Sequence, residues 1–241
     1  MQICRFSTAA QVGQAAAALI AAQLLRKPDS VLGLATGSSP IPTYQELIRL
    51  YQAGVLDFSH MVSYNLDEYV GIPVDHVCSY HRFMQDNLFS HVNVRPECTH
   101  VPDGNAADLA AAAAAYDEAI RAAGGIDVQV LGIGRNGHIG FNEPADVFTW
   151  GCHVVNLTES TIEANTRFFA SSADVPRQAV SLGVGAIMDA RQVLLIATGS
   201  DKADAVAAAV HGDIDPHTPA SILQAHHQVI FLLDEAAAAK L

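Results

Sequence analysis

The chain has 241 residues, 50% of them hydrophobic, and a formal net charge of −12 at pH 7. No run of Lys and Arg interrupts this acidic balance, so nucleic acid and anionic membrane surfaces are excluded as expected partners. No apolar stretch approaches the roughly 20 residues that a membrane helix needs.

The four cysteines are widely scattered and form neither a CxxC pair nor a cluster with histidine at zinc spacing. This pattern indicates reduced thiols and a cytoplasmic protein. The alanine-rich segment Gly13 to Leu25 resembles a signal-peptide core, but Gln14 and Gln23 interrupt it. An amphipathic N-terminal helix is the better interpretation.

Strand-like and helix-like patterns alternate along the chain. The predicted strands are Val31–Ala35, Met61–Asn65, Val128–Ile133, Val193–Thr198 and Val229–Leu233; the predicted helices include Ala9–Arg26, Ser79–Phe89, Ala106–Ala123 and Asp201–Val210. This alternation predicts an α/β fold, with a Rossmann-like, mostly parallel sheet and helices on both faces. Residues 1–241 show no composition break, so we expect one domain. Right-handed crossovers would bring the carboxyl ends of the strands to one edge.

A turn rich in hydroxyl groups follows the first strong strand and opens a helix that runs through Tyr44 to Tyr51. Its residues are Thr36, Gly37, Ser38 and Ser39. Backbone N–H groups, hydroxyls and the positive end of the helix dipole would together favour a phosphate. The alternative is a helix cap without a ligand, since Thr, Ser and Gly commonly precede helices.

The second predicted strand leads into two adjacent carboxylates, Asp67 and Glu68. A carboxylate at this edge can serve as a general base if burial raises its pKa toward the working pH. Capping of a turn or helix explains most Asp residues after strands and is the competing interpretation. The neighbouring candidate loops on the same edge favour a base.

His138 lies in the glycine-rich loop that follows the third predicted strand, and Glu143 comes five residues later. Imidazole is the commonest acid–base group near neutral pH, and a nearby carboxylate can orient it. A metal site is less favoured because the pair lacks a third ligand at recognisable spacing. Further along, Arg167 and Lys202 could complete a phosphate pocket with Ser38 and Ser39.

Three of these segments together, ATGSSPIPTY, YNLDEYVG and GIGRNGHIGFNEPA, resemble the glucosamine-6-phosphate deaminase family. Three more, SYHRFMQDNLFSHV, EANTRFF and ATGSDKADAV, match the pattern of that family in the same order. Six collinear matches span nearly the whole chain. They are far more specific than any single glycine-rich loop.

The resemblance implies that glucosamine 6-phosphate and water become fructose 6-phosphate and ammonia, without a cofactor or an essential metal. It implies that His138 opens the sugar ring, that Glu143 and Asn136 orient and polarise it, and that Asp67 moves the C2 proton to C1. The phosphate would be held by the remaining candidate residues: Thr36, Gly37, Ser38, Ser39, Arg167 and Lys202. It also implies a single sugar-phosphate isomerase/deaminase domain over residues 1–241.

The chain departs from the family pattern at a few positions. Some members carry Asp where Asn136 stands, so no carboxylate relay runs through it and a supporting role is expected. His153 and Val155 replace basic residues that bind an acetylated amino-sugar phosphate in regulated members, so no such activation is expected. Both a monomer and a homo-oligomer remain open.

Two alternatives of other kinds stay open beside the deaminase. A 6-phosphogluconolactonase would share the fold and the histidine loop, but that family follows the histidine with a Ser-Leu-Phe-Pro type of sequence, unlike Phe141 to Pro144. A sugar-phosphate-sensing domain would bind without turnover and would tolerate loss of Asp67, His138 and Glu143. All three residues are present here.

Overall fold

The computed structural model describes residues 1–169 and 171–241. Within these ranges the chain forms ten strands and seven α-helices. The strands are β1 Gln2–Phe6, β2 Val31–Leu34, β3 Val62–Asn65, β4 Asp67–Tyr69, β5 Thr99–His100, β6 Val128–Leu131, β7 His153–Asn156, β8 Gln178–Ser181, β9 Gln192–Ala197 and β10 Val229–Asp234. The helices are α1 Ala9–Arg26, α2 Ile41–Gln52, α3 Tyr80–Asn87, α4 Leu109–Ala122, α5 Glu159–Asn165, α6 Val184–Met188 and α7 Ala203–His211.

Seven strands form one sheet in the order β1-β10-β9-β6-β2-β3-β5, and every neighbouring pair is parallel. Strands β2 and β6 are buried along their whole length, and β9 is buried from Val193 to Ala197. Such strands, covered by helices on both faces, read as continuous apolar runs in a sequence. The predicted fold class is therefore confirmed.

The five predicted strands are present, and their ends move by no more than two residues. The predicted helices are also present, with Ala106–Ala123 and Asp201–Val210 shortened at their amino ends to Leu109 and Ala203. Asp201 and Lys202 lie instead in a 3-10 turn that leads into α7. Arg167 was expected inside a helix, but it lies in a 3-10 turn that directly follows α5.

A second sheet was not predicted. It has three strands in the order β4-β8-β7, and both pairs are antiparallel. This small sheet adjoins the carboxyl edge of the large one. Leu66 directly follows β3 and Leu182 directly follows β8, and the Leu182 N–H donates to the Leu66 carbonyl at 2.8 Å. No helix in the described residues is both long and apolar enough to cross a membrane.

Candidate active site

A cavity of about 1030 Å³ opens at the carboxyl edge of the large sheet. Parallel sheets of this type bind ligands at that edge. Nine of the ten predicted site residues line it: Thr36, Gly37, Ser38, Ser39, Asp67, Asn136, His138, Arg167 and Lys202. The tenth, Glu143, lies behind the wall and contacts His138 from there. The fold therefore assembles the predicted residues around one space.

The turn Thr36 to Ser39 connects β2 with α2 and lines the cavity. Gly37 has φ +88°, a backbone conformation that residues with a Cβ atom rarely adopt. Buried Tyr44 on α2 donates its hydroxyl to the Ala35 carbonyl at 2.6 Å and so fixes the start of the turn. Pro40 precedes α2, as the unpartnered first turn of a helix permits.

Three cations, Arg135, Arg167 and Lys202, also line the cavity. Arg135 Nε donates to Asp201 Oδ2 at 2.9 Å, and Lys202 Nζ lies 4.0 Å from the same oxygen. Burial lowers the pKa of Lys202, and Arg135 and Arg167 lower it further, while Asp201 opposes them. Arg167, which lines the cavity, is thus close enough to act on Lys202. A cluster whose cations repel one another favours an anion that would relieve the repulsion.

Asp67 lines the same cavity. It is the first residue of β4 in the small sheet, because β3 ends at Asn65 and the chain changes sheets there. The Asp67 residue is only 6% exposed, and burial together with the neighbouring Glu68 carboxylate raises the pKa of Asp67 to about 8. A carboxyl with a pKa in that range can take and return protons near neutral pH.

Glu68 has the other role that the sequence left open, that of a cap. Its carboxylate accepts backbone N–H bonds from Tyr69 at 2.9 Å and from Tyr80 and His81 at 3.0 Å each. Tyr80 and His81 begin α3, so Glu68 pairs with the unsatisfied N–H groups of a helix start. The capping contacts are thus made by Glu68, and the role of Asp67 as a base stays a prediction.

An aromatic wall surrounds the Asp67 side of the cavity. Tyr69, Tyr80, Phe141 and Phe169 all line it. The Tyr69 ring lies 5.7 Å from the rings of both Phe141 and Phe169, and the Tyr80 hydroxyl donates to the Tyr69 hydroxyl at 3.2 Å. Apolar surfaces of this kind displace water, and burial is the larger of the two causes that raise the pKa of Asp67, ahead of the Glu68 carboxylate.

His138 is held by the glycine loop from which it projects. A Cβ at Gly134 would lie 2.3 Å from the His138 ring, so only glycine leaves room for the imidazole there. The Gly134 N–H donates to the His138 carbonyl at 2.9 Å and closes the turn. Buried Nδ1 of His138 lies 3.5 Å from Glu143 Oε2, an ion-pair separation rather than a hydrogen bond.

The Glu143 carboxylate is surrounded by three groups. Asn136 Nδ2 donates to Oε2 at 2.8 Å, while Asn136 Oδ1 accepts the His138 backbone N–H at 3.2 Å. The Thr161 hydroxyl donates to Oε1. Burial favours a higher pKa for Glu143, but His138, Thr161 and Asn136 outweigh it and lower the pKa to about 2. Glu143 is therefore a fixed negative charge behind the imidazole.

Ser181 connects the two sheets at the site. It pairs with Asp67 in the small sheet, and its hydroxyl accepts the backbone N–H of Phe141 at 3.0 Å. Phe141 belongs to the loop that carries His138 and Glu143. The contact therefore links the strand that pairs with Asp67 to the loop that carries the imidazole.

Sequence reasoning missed Arg135 and Thr161. Arg135 stands one residue before Asn136 in the glycine-rich loop, so its place at the carboxyl edge could have been inferred. Thr161 carries no such signal, because its contact with Glu143 spans 18 residues and depends on how α5 folds back. Among the residues that the structure describes, no three His, Cys, Asp or Glu side chains converge as metal ligands.

The fold and the site define an α/β protein in which a cation cluster, a buried carboxyl and an imidazole line one cavity. Residues 5–232 match the model of the glucosamine-6-phosphate isomerases/6-phosphogluconolactonase family. The chain belongs to that family.

Its curated relatives include the glucosamine-6-phosphate deaminase of Clostridioides difficile (strain 630), which is 56% identical over 94% of this chain and 91% of the relative. The deaminase of Shewanella loihica (strain ATCC BAA-1088 / PV-4) is 51% identical over 100% of this chain and 90% of that protein. These matches confirm the resemblance to the deaminase family.

Solved structures agree with this placement. A monomeric glucosamine-6-phosphate deaminase superposes with a TM-score of 0.98 at 42% identity, and each chain is covered completely. The 6-phosphogluconolactonase of Trypanosoma brucei reaches a TM-score of 0.76 at 21% identity, covering 100% of this chain and 98% of its own. At that identity the lactonase shares the fold alone.

Proposed function

We propose that this protein is an enzyme that converts glucosamine 6-phosphate and water into fructose 6-phosphate and ammonia. The observation that carries the proposal is that one cavity is lined by a cation cluster and by both Asp67 and His138. Relatives named for this activity, at identities of 50% and more, support it. The proposal needs a phosphate anchor, a ring-opening group and a base, and the cavity offers a candidate for each.

The phosphate anchor is the cation cluster together with the turn Thr36 to Ser39. Arg135, Arg167 and Lys202 contribute three positive charges, and Asp201 removes one, which leaves a formal charge of +2. That charge complements a phosphate dianion, despite the net charge of −12 on the whole chain. Binding energy from this remote group holds C1 and C2 of the sugar against the reacting side chains.

Ring opening is assigned to His138. Its Nδ1 is buried against Glu143, which leaves Nε2 as the ring nitrogen that faces the sugar. Nε2 takes the proton of the anomeric hydroxyl and delivers a proton to the ring oxygen as the C1–O bond to that oxygen breaks. The negative Glu143 stabilises the imidazolium formed in between, and Asn136 keeps both groups in place.

Proton transfer between C2 and C1 is assigned to Asp67. The substrate amine, as an ammonium, brings a positive charge beside Asp67, which lowers the pKa of Asp67 from about 8 and yields the carboxylate. The carboxylate removes the C2 proton while one proton of the ammonium passes to the C1 oxygen, which gives the enolamine. The Asp67 carboxyl then returns its proton to C1, and the C2–N bond becomes an iminium. Water then adds to the C2 iminium carbon, and ammonia leaves as the ketone forms.

A direct assay tests this function. Purified protein with glucosamine 6-phosphate, without added metal or nucleotide, should release ammonia and fructose 6-phosphate in equal amounts. Hydrolysis of 6-phosphogluconolactone without ammonia release would assign the lactonase reaction instead. Tight binding of the sugar phosphate with neither product would assign a sensing role.

A further inference from the structure

Thr161 is almost fully buried at the edge of the site, and its hydroxyl is used to bind the Glu143 carboxylate. The residue is 3% exposed, and its hydroxyl donates to Glu143 Oε1. The same hydroxyl oxygen accepts a hydrogen bond from the Thr158 hydroxyl at 3.2 Å, so its own proton is directed to the carboxylate. Glu143 Oε2 is taken by Asn136 and His138, which makes Thr161 the donor that holds the other oxygen.

The segment that carries Thr161 also carries a phosphate-binding candidate. Helix α5 begins at Glu159 and runs directly into the 3-10 turn Thr166–Phe168, which contains Arg167. The Thr166 hydroxyl donates to the Ile162 carbonyl at 2.8 Å and joins the helix to the turn. Arg167 at one end and Thr161 at the other therefore belong to one short, internally bonded segment.

We propose that Thr161 is a positioning residue that ties Glu143, and through it His138, to the segment that binds the phosphate. The inference rests on the proposed function, since it assigns Thr161 to the ring-opening step of that reaction. Engagement of the phosphate by Arg167 holds α5 in place, and α5 in turn holds the carboxylate behind the imidazole. The step that depends on Thr161 is proton transfer at the anomeric hydroxyl and the ring oxygen.

The test compares Thr161→Val with Thr161→Ser. Valine keeps the shape but leaves Glu143 Oε1 without its donor, so kcat should fall about ten- to hundredfold, as for a lost hydrogen bond to a charged group. KM should stay within about threefold, because the phosphate contacts are intact. Serine keeps the hydroxyl and should restore most of kcat. Thr99→Val, which removes a hydroxyl that donates to the Pro96 carbonyl at 2.8 Å away from the cavity, is the matched control and should keep near wild-type kcat.

A second measurement separates ring opening from binding. The reduced open-chain analogue 2-amino-2-deoxyglucitol 6-phosphate has no ring to open, so its inhibition constant should be equal in wild type and Thr161→Val. Unchanged kcat in Thr161→Val, an equal loss in the Ser variant, or weakened binding of the analogue would each overturn the inference. Absence of ammonia release by the wild type would instead overturn the proposed function.

Discussion

Comparing Asp67→Asn with the wild type measures how much the raised pKa of Asp67 lowers the free energy of unfolding. In the folded protein the pKa of Asp67 is about 8, because burial and Glu68 disfavour the charge. In the unfolded chain an Asp titrates near 3.9. Between these pH values the folded state keeps a proton that the unfolded state has lost. The free energy of unfolding therefore decreases as pH rises through this window. The asparagine variant has no proton to lose at this position and avoids the decrease.

The magnitude follows from the two pKa values of Asp67. A folded pKa of about 8 and an unfolded value near 3.9 make the wild type lose about 3 kcal/mol relative to Asp67→Asn between pH 5.5 and pH 8.5. Any change in packing from the new amide is independent of pH and cancels in this difference. The small exposure of Asp67, 6%, leaves little solvent to screen the cost.

Urea unfolding at pH 5.5, 7.0 and 8.5 measures the difference, with the m values compared to verify that both proteins expose the same surface. Asp213→Asn removes a carboxylate from an exposed position and is measured alongside as the matched control. A constant difference between Asp67→Asn and wild type at all three pH values would refute a raised pKa at Asp67. It would also remove the physical basis for Asp67 as a base that works near neutral pH.

Two further predictions concern kinetics. After correction for titration of the substrate amine, kcat/KM should fall as pH drops below about 8, the pKa of Asp67 in the free enzyme. The fall in kcat should begin at a lower pH, since the bound ammonium lowers the pKa of Asp67. A flat kcat/KM between pH 6 and pH 8.5 would contradict this. Lys202→Ala and Arg167→Ala should raise KM about tenfold or more, and Arg135→Ala, whose side chain is 66% exposed, should raise it less. Unchanged KM in the first two would refute the phosphate assignment.

The large sheet was predictable because its inner strands are buried on both faces. Runs such as Val128–Leu131 and Gln192–Ala197 are almost wholly apolar, and a parallel sheet then puts the loops that follow them at one edge. The candidate residues Asp67 and His138 could thus be expected, from the order of strands and loops alone, to lie near each other.

The small sheet was not predictable in the same way. Its strands are three or four residues long and partly polar, and Asp67 pairs with Ser181, which is far away along the chain. The contact of Thr161 with Glu143 depends on the same kind of long-range folding. Local patterns record which face of a segment is buried but not which distant segment covers it, so these contacts required the three-dimensional structure.

The connection through Ser181 has a consequence for how such an enzyme can change. Asp67 belongs to one sheet and His138 to a loop of another, and Ser181 joins them. A substitution in β8 that shifts the small sheet by a fraction of an ångström would alter the spacing between Asp67 and His138, the two proposed proton-transfer groups. In the proposed reaction, the small sheet is therefore a place where selection or engineering can adjust turnover while the residues assigned to the phosphate stay the same.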